Sequence, residues 1–108
     1  MQRGEVWWVE FDPAASSEIR KTRPGIVVSN NSANRNLLRV IVVPLSSNTE
    51  RIYPGEARVS CAGTSSKAMD DQIMTADKVG LKSRIDALSK EDMLAVEHAL
   101  RVQLALPK

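Results

Sequence analysis

The run Leu37-Leu38-Arg39-Val40-Ile41-Val42-Val43-Pro44-Leu45 sets the strongest limit on what this chain can become. Its β-branched side chains have few rotamers and suit a pleated surface better than a helix, so it reads as a long strand. Pro44 and the polar cluster Ser46-Ser47-Asn48-Thr49 end it. A second apolar run, Ile26-Val27-Val28-Ser29, lacks the alternation of a half-exposed strand and reads as a strand buried on both faces. A sheet must therefore lie at the centre of the fold.

The remaining segments fill in around it. Gly4-Glu5-Val6-Trp7-Trp8-Val9-Glu10-Phe11 is a strand that stops at the turn signal Asp12-Pro13, and at least one of Trp7 and Trp8 belongs to the core. Ala14 to Thr22 is polar and long enough to be a functional loop. Asn30 to Asn36 reads as a turn or a single helical turn. After the turn Tyr53-Pro54-Gly55 comes a short alternating strand, Glu56 to Ser60, and then a loop from Gly63 to Ser66. Lys67 to Thr75 reads as a strand or strand pair, and Ala76 to Leu81 adds a helical turn. Past Leu88 lies the clearest helix. Ser89 is its N-cap, Glu91 and Asp92 favour the positive end of its dipole, and Met93, Val96, Leu100 and Leu104 form its apolar stripe. The pattern predicts an α+β domain with a small curved sheet or partly closed barrel, and 108 residues suffice for one domain, 1–108.

Composition removes several functions. Fifteen Lys and Arg against thirteen Asp and Glu leave a formal charge of +2, too little to assert nucleic-acid binding by itself. One cysteine, Cys61, excludes an intrachain disulfide and suits a packed residue in a reducing compartment, and the N-terminus carries neither a leader pattern nor a membrane span. The expected location is the cytoplasm. With a single histidine, His98, placed off the helix stripe, neither a zinc site of the usual kind nor a Ser-His-Asp arrangement can be built. Asp70 and Asp71, adjacent in an expected strand, would point to opposite faces. No metal or other cofactor is expected.

What remains is the segment Ser17-Glu18-Ile19-Arg20-Lys21-Thr22-Arg23-Pro24-Gly25, which brings a carboxylate, hydroxyls and three cations to the start of a buried strand. Pro24 restricts Arg23 to extended geometry and so aims its guanidinium. A planar fork that stays charged suits the oxygens of a phosphate and of a pentacoordinate phosphorus transition state. Glu18 is placed to take a proton if burial raises its pKa, and Ser46 and Ser47 can donate hydrogen bonds to the same phosphate. These residues fit cleavage of RNA through its own 2′-OH, which needs neither a metal nor a protein nucleophile. Each also has a plainer explanation: a basic loop is usually solvated, and Ser-Ser-Asn is ordinary turn composition.

In order along the chain, Arg3-Gly4-Glu5-Val6-Trp7 through Phe11-Asp12-Pro13, Ser17-Glu18 with Thr22-Arg23-Pro24, Val27-Val28-Ser29-Asn30, Val42 to Ser47, and Asp71-Gln72-Ile73 with Thr75 and Asp77-Lys78 resemble the MazF/PemK/Kid family of bacterial toxin endoribonucleases. The resemblance implies an SH3-like β-barrel with short helices and a C-terminal helix. It also implies a homodimer and metal-independent, sequence-specific cleavage of single-stranded RNA to 2′,3′-cyclic phosphate and 5′-OH ends. An acidic, disordered segment of a cognate MazE-like antitoxin would neutralise the toxin. Arg23 would be the catalytic arginine, Ser46 would stand where relatives commonly carry a threonine, and Glu18 would match the loop glutamate. Ser17, Arg20, Lys21, Thr22, Ser47, Asp71 and Gln72 would bind substrate. Ser16 and Lys21 replace glycines common in that loop, Ile19 replaces a glutamine, Ser17 stands where some members have histidine, and Met69 where some have arginine. Two competing readings are a gyrase poison of the CcdB type on the same fold and a non-catalytic binding module. The chain ends Leu104-Ala105-Leu106-Pro107-Lys108, without the Trp-Gly-Ile tail of the gyrase poisons.

Overall fold

The computed structural model describes residues 1–10 and 22–107. The elements run β1 (Glu5–Glu10), β2 (Thr22–Val27), α1 (Asn31–Asn36), β3 (Arg39–Ser46), β4 (Glu56–Cys61), β5 (Thr64–Met69), β6 (Met74–Asp77), β7 (Leu81–Ala87) and α2 (Lys90–Leu104), with 3₁₀ turns at Asp70–Gln72 and Lys78–Gly80. All strand pairs are antiparallel, and the spatial order is β4-β5-β3-β2-β1-β7, with β6 paired to β3.

β3 holds this sheet together. Along one stretch it pairs β6, from Arg39↔Asp77 to Val42↔Met74, and near its end it pairs β5, Leu45↔Ala68 and Ser46↔Lys67. It also pairs β2 from Val42 to Pro44. Pro44, which has no N–H to give a ladder, falls in the gap between the β6 and β5 pairings. The strand therefore runs through the proline instead of ending there, contrary to the sequence expectation.

The unbroken apolar runs explain the curl. Val43 and Leu45 belong to one buried cluster with Val6, Ile26, Val28, Val59 and the α2 residues Met93, Val96 and Ala99. Val40 and Val42 belong to a second cluster with Val9, Val27, Ala76 and Leu81. Successive side chains of a strand point to opposite faces, so β2 and β3 are buried on both sides, and the sheet wraps to cover each. Trp7 packs against the second cluster, whereas Trp8 is 41% exposed.

α2 is capped as its sequence indicates: Ser89 Oγ accepts from Asp92 N at 3.1 Å. Its buried stripe is Met93, Val96 and Ala99, with Leu100 half-buried, while Leu104 is exposed because the helix has by then run past β4 and the 3₁₀ turn it packs on. None of its residues, nor any other helix among those described, makes an element long and apolar enough to cross a membrane.

Three segments depart from the sequence reading. Gly63 to Ser66 is not a loop: Ala62 and Gly63 alone turn the chain, and Thr64 already opposes Cys61. Ser65 and Ser66 are polar because that part of β5 faces solvent. Lys67 to Thr75 is split by the 3₁₀ turn, and β5 and β6 each pair with β3 instead of with each other. β7 was hidden because Lys82, Ser83, Arg84 and Asp86 dilute its apolar pattern, as suits a strand at the sheet edge.

The two edge strands approach each other without forming a ladder. Instead, Ala62 N donates to Asp86 Oδ2 on β7 at 2.7 Å, and Ser60 N donates to Asp92 Oδ2 on α2 at 2.8 Å. Hydrogen bonds from the Ala62 and Ala87 amides hold the Asp86 carboxyl below the usual carboxylate range. β4 thus offers carboxylate-capped amides where an unpaired edge would otherwise recruit another strand.

The Ala62-Gly63 turn has positive φ at both residues, 51° and 79°. This is the geometry of a type I′ hairpin, for which Asn-Gly is favoured and alanine is strained. Ala62→Asn will stabilise the fold by roughly 0.5–1 kcal/mol, measured by urea unfolding. An unchanged or lower midpoint would contradict this account of the turn.

Candidate functional site

Arg23 and Pro24 lie in β2 itself, opposite Val9 and Trp8 of β1. The strand begins earlier than the apolar run suggests because Thr22-Arg23-Pro24-Gly25 already pairs with β1, and a residue before proline is extended in any case. Leu45 and Ser46 end β3, two positions past the Gly25↔Pro44 pair. These ladders place Arg23, Ser46 and Ser47 around one cleft of about 400 Å³, completed by Trp8, Pro24, Leu45 and Ser66.

The cleft continues the face that carries the first core cluster. Val6 and Trp8 share a face of β1 by alternation, and Leu45 belongs to both the cluster and the cleft lining. Where Val6, Ile26 and Val43 fill that face it is core. One step further along the strands it opens, and Trp8, Pro24 and Leu45 give it an apolar wall. The polar side is Arg23 and three serine hydroxyls. Among the described residues no carboxylate pairs with the Arg23 guanidinium, which is exposed. Ser46, half-buried, accepts from Asn48 N at 3.1 Å through its Oγ, which leaves the hydroxyl proton free to donate into the cleft.

The expected residues divide into three groups. Arg23, Ser46 and Ser47 are brought together. Thr22, Asp71 and Gln72 are exposed and stand outside the cleft lining: Thr22 opposes Glu10 in the ladder, and Asp71 and Gln72 occupy the 3₁₀ turn, where Gln72 Nε2 contacts Met69 Sδ at 3.7 Å. Ser17, Glu18, Arg20 and Lys21 fall outside the described residues, as do Ser16 and Ile19. Ser66 carries no sequence signal for the cleft, because its polar neighbours mark a loop. Trp8 carried a signal, being one of two adjacent tryptophans of which alternation allows only one on each face. His98 is exposed on α2, and Cys61 is buried in the first cluster, where burial and then the Asp86 charge push its thiol up.

Where β5 ends, Asp70 is fully buried, and neither carboxyl oxygen has a hydrogen-bond partner among the described residues. The strand expectation that put Asp70 and Asp71 on opposite faces is replaced by a 3₁₀ turn that buries one and exposes the other. Burial, followed by the charges of Asp71 and Glu56, raises the Asp70 carboxyl from 3.8 to about 7.

A curled half-barrel carries at one mouth an exposed arginine, unpaired among the described residues, together with hydroxyls, a donor set chemically suited to an anion. The chain belongs to the PemK-like, MazF-like toxin family of type II toxin–antitoxin systems, whose family model matches residues 2–104. It is 35% identical to the endoribonuclease MazF9 of Mycobacterium tuberculosis, over 98% of both chains, and 29% identical to the endoribonuclease EndoA of Bacillus subtilis, over 98% of this chain and 96% of that one. Among solved structures, an endoribonuclease in complex with its cognate antitoxin from a mycobacterial species superposes with a TM-score of 0.83 at 26% identity, covering 100% of this chain and 98% of that one. MazF from Deinococcus radiodurans, at 21% identity and a TM-score of 0.80 over 97% and 96% of the two chains, shares the fold.

The raised Asp70 value has a definite sign. Between about pH 4 and 7 the folded chain holds a proton that the unfolded chain has released, so stability falls as pH rises through this window and stays low above it. The loss is on the order of a few kcal/mol. Asp70→Asn removes the titrating group, and the melting temperature of the wild type relative to this variant will drop between pH 4 and 8. Parallel curves across that range would refute the burial argument.

Proposed function

We propose that this chain is the sequence-specific, metal-independent endoribonuclease toxin of a toxin–antitoxin pair, acting on single-stranded RNA, with residues 1–108 forming one toxin domain. The observation that carries this reading is the grouping of the Arg23 guanidinium, unpaired among the described residues, with Ser46 and Ser47 around one cleft, in a chain whose relatives are endoribonucleases.

The chemistry follows from those groups. The substrate 2′-oxygen attacks the adjacent phosphorus, a 2′-O–P bond forms and the P–O5′ bond breaks, giving a 2′,3′-cyclic phosphate and a 5′-OH. Arg23 binds the non-bridging oxygens, on which negative charge accumulates in the transition state, and Ser46 donates to the same group. Glu18 takes the 2′-OH proton, and a proton returned to the 5′-oxygen completes the exchange. Ser47, with Thr22, Ser17, Arg20 and Lys21, binds the flanking backbone, and Asp71 and Gln72 serve a more distant part of the RNA.

Partners follow from surface chemistry and from relatives. Leu37, Leu38, Ile41 and Val79 are exposed apolar residues, and Lys78 N donates to Leu38 O, which brings the last of them to the others. This surface supports a homodimer. Solved relatives in complex with cognate antitoxins support neutralisation by an acidic, disordered antitoxin segment, and an RNA target supports action in the cytoplasm.

Purified protein incubated with mixed-sequence single-stranded RNA will give 2′,3′-cyclic phosphate ends with or without EDTA. Arg23→Ala will lower the rate by about 100-fold or more, as loss of a principal transition-state donor does, and Glu18→Gln will remove the acidic limb of the pH–rate profile. Persistence of intact RNA with the wild type, 3′-hydroxyl products, or full activity in Arg23→Ala would sink the proposal.

A further inference from the structure

A second cleft, of about 390 Å³, is lined by Asn48, Glu50, Arg51, Tyr53 and Lys67. It adjoins the first. Ser47 and Asn48 are consecutive, as are Ser66 and Lys67, and Ser46 opposes Lys67 in the β3–β5 ladder, so the two clefts share a boundary of adjoining residues.

Tyr53 is the unusual member. It is 53% exposed, yet it is held from several directions. Its N–H donates to Glu56 Oε1 at 3.0 Å, and its carbonyl accepts from Glu56 N at 2.8 Å. Lys67 Nζ lies 5.9 Å from the ring centroid and pairs with Glu56 Oε1 at 3.3 Å, and Arg51 Nη1 donates to the phenol oxygen at 3.5 Å. The Lys67 charge is nearly buried and committed to Glu56, so its task is to fix the ring. Arg51 is exposed and has no ion-pair partner among the described residues. An exposed aromatic ring fixed in place, with an exposed guanidinium at its edge, is the arrangement that takes a base and the phosphate beside it. Glu50 on the same lining repels phosphate and accepts from base amino groups, which favours a base over backbone at its end.

We propose that this second cleft is a nucleotide subsite extending the Arg23–Ser46 site, in which Tyr53 stacks a base of single-stranded RNA and Arg51 pairs with the neighbouring phosphate. The subsite rests on the ribonuclease reading and specifies how substrate is held away from the scissile bond. Base stacking is tolerant of sequence, so Tyr53 contributes affinity more than choice of cleavage site.

The test uses the full chain and two probes: fluorescein-labelled, randomised 2′-O-methyl RNA, which lacks the attacking hydroxyl and reports binding by anisotropy, and mixed-sequence RNA, which reports cleavage. Tyr53→Ala will weaken binding by about ten-fold and raise KM by a similar factor, while Tyr53→Phe, which keeps the ring, will stay within about two-fold of wild type. Arg51→Gln will reduce the slope of log affinity against log salt by about 0.7, the value for one phosphate on a single strand. Wild-type binding by Tyr53→Ala, an equal loss in Tyr53→Phe, or an unchanged salt slope in Arg51→Gln overturns the subsite and leaves the ribonuclease reading intact. A wild type that neither binds the first probe nor cuts the second overturns both.

Discussion

The double service of β3 is the constraint on which everything else depends. One strand pairs with β2 along one edge and, along the other, with β6 and then β5, while its side chains supply both buried clusters. No flat sheet meets those demands. The ladders must diverge after Val42, and Pro44 sits at the divergence, where a missing amide costs least. The curl follows, and the mouth at the end of β3 follows from the curl.

That origin explains why the candidate site is rigid where it matters. Arg23 and Ser46 are not carried on free loops; each is the terminal stretch of a strand whose next residues are core. Such placement limits the backbone reorganisation required when a phosphate arrives, and reactions that depend on electrostatic stabilisation gain most from donors fixed in advance. The apolar wall of Trp8, Pro24 and Leu45 lowers the polarity around the same donors, which strengthens their attraction for an anion.

The sequence disclosed the fold wherever side-chain pattern and burial coincide. Ile26-Val27-Val28 and Val40, Val42 and Val43 are buried on both faces, so little dilutes their pattern, and Ser89 with Asp92 marks a helix start by local chemistry alone. The pattern misled where position in the sheet, not composition, decides. β7 is an edge strand with a charged, exposed face, Thr64 to Ser66 is strand despite its polarity, and Asp70 is buried although a carboxylate signals a surface. The site was legible in part for the same reason. Arg23 and Ser46 sit at strand ends that the apolar runs locate, whereas the grouping of Ser66 and Trp8 with them depends on cross-strand register, which no local signal encodes.

The seam between β4 and β7 leaves the barrel open in one particular sense. Asp86 of β7 clasps the Ala62 amide just past β4, and Asp92 of α2 clasps the Ser60 amide of β4, in place of a ladder. A ladder fixes circumference in whole strand spacings, but a clasp of side chains does not. The spacing across the seam therefore follows the reach of a carboxylate side chain and not a fixed ladder distance. At this seam two aspartate side chains, one on β7 and one on α2, stand in for backbone pairing.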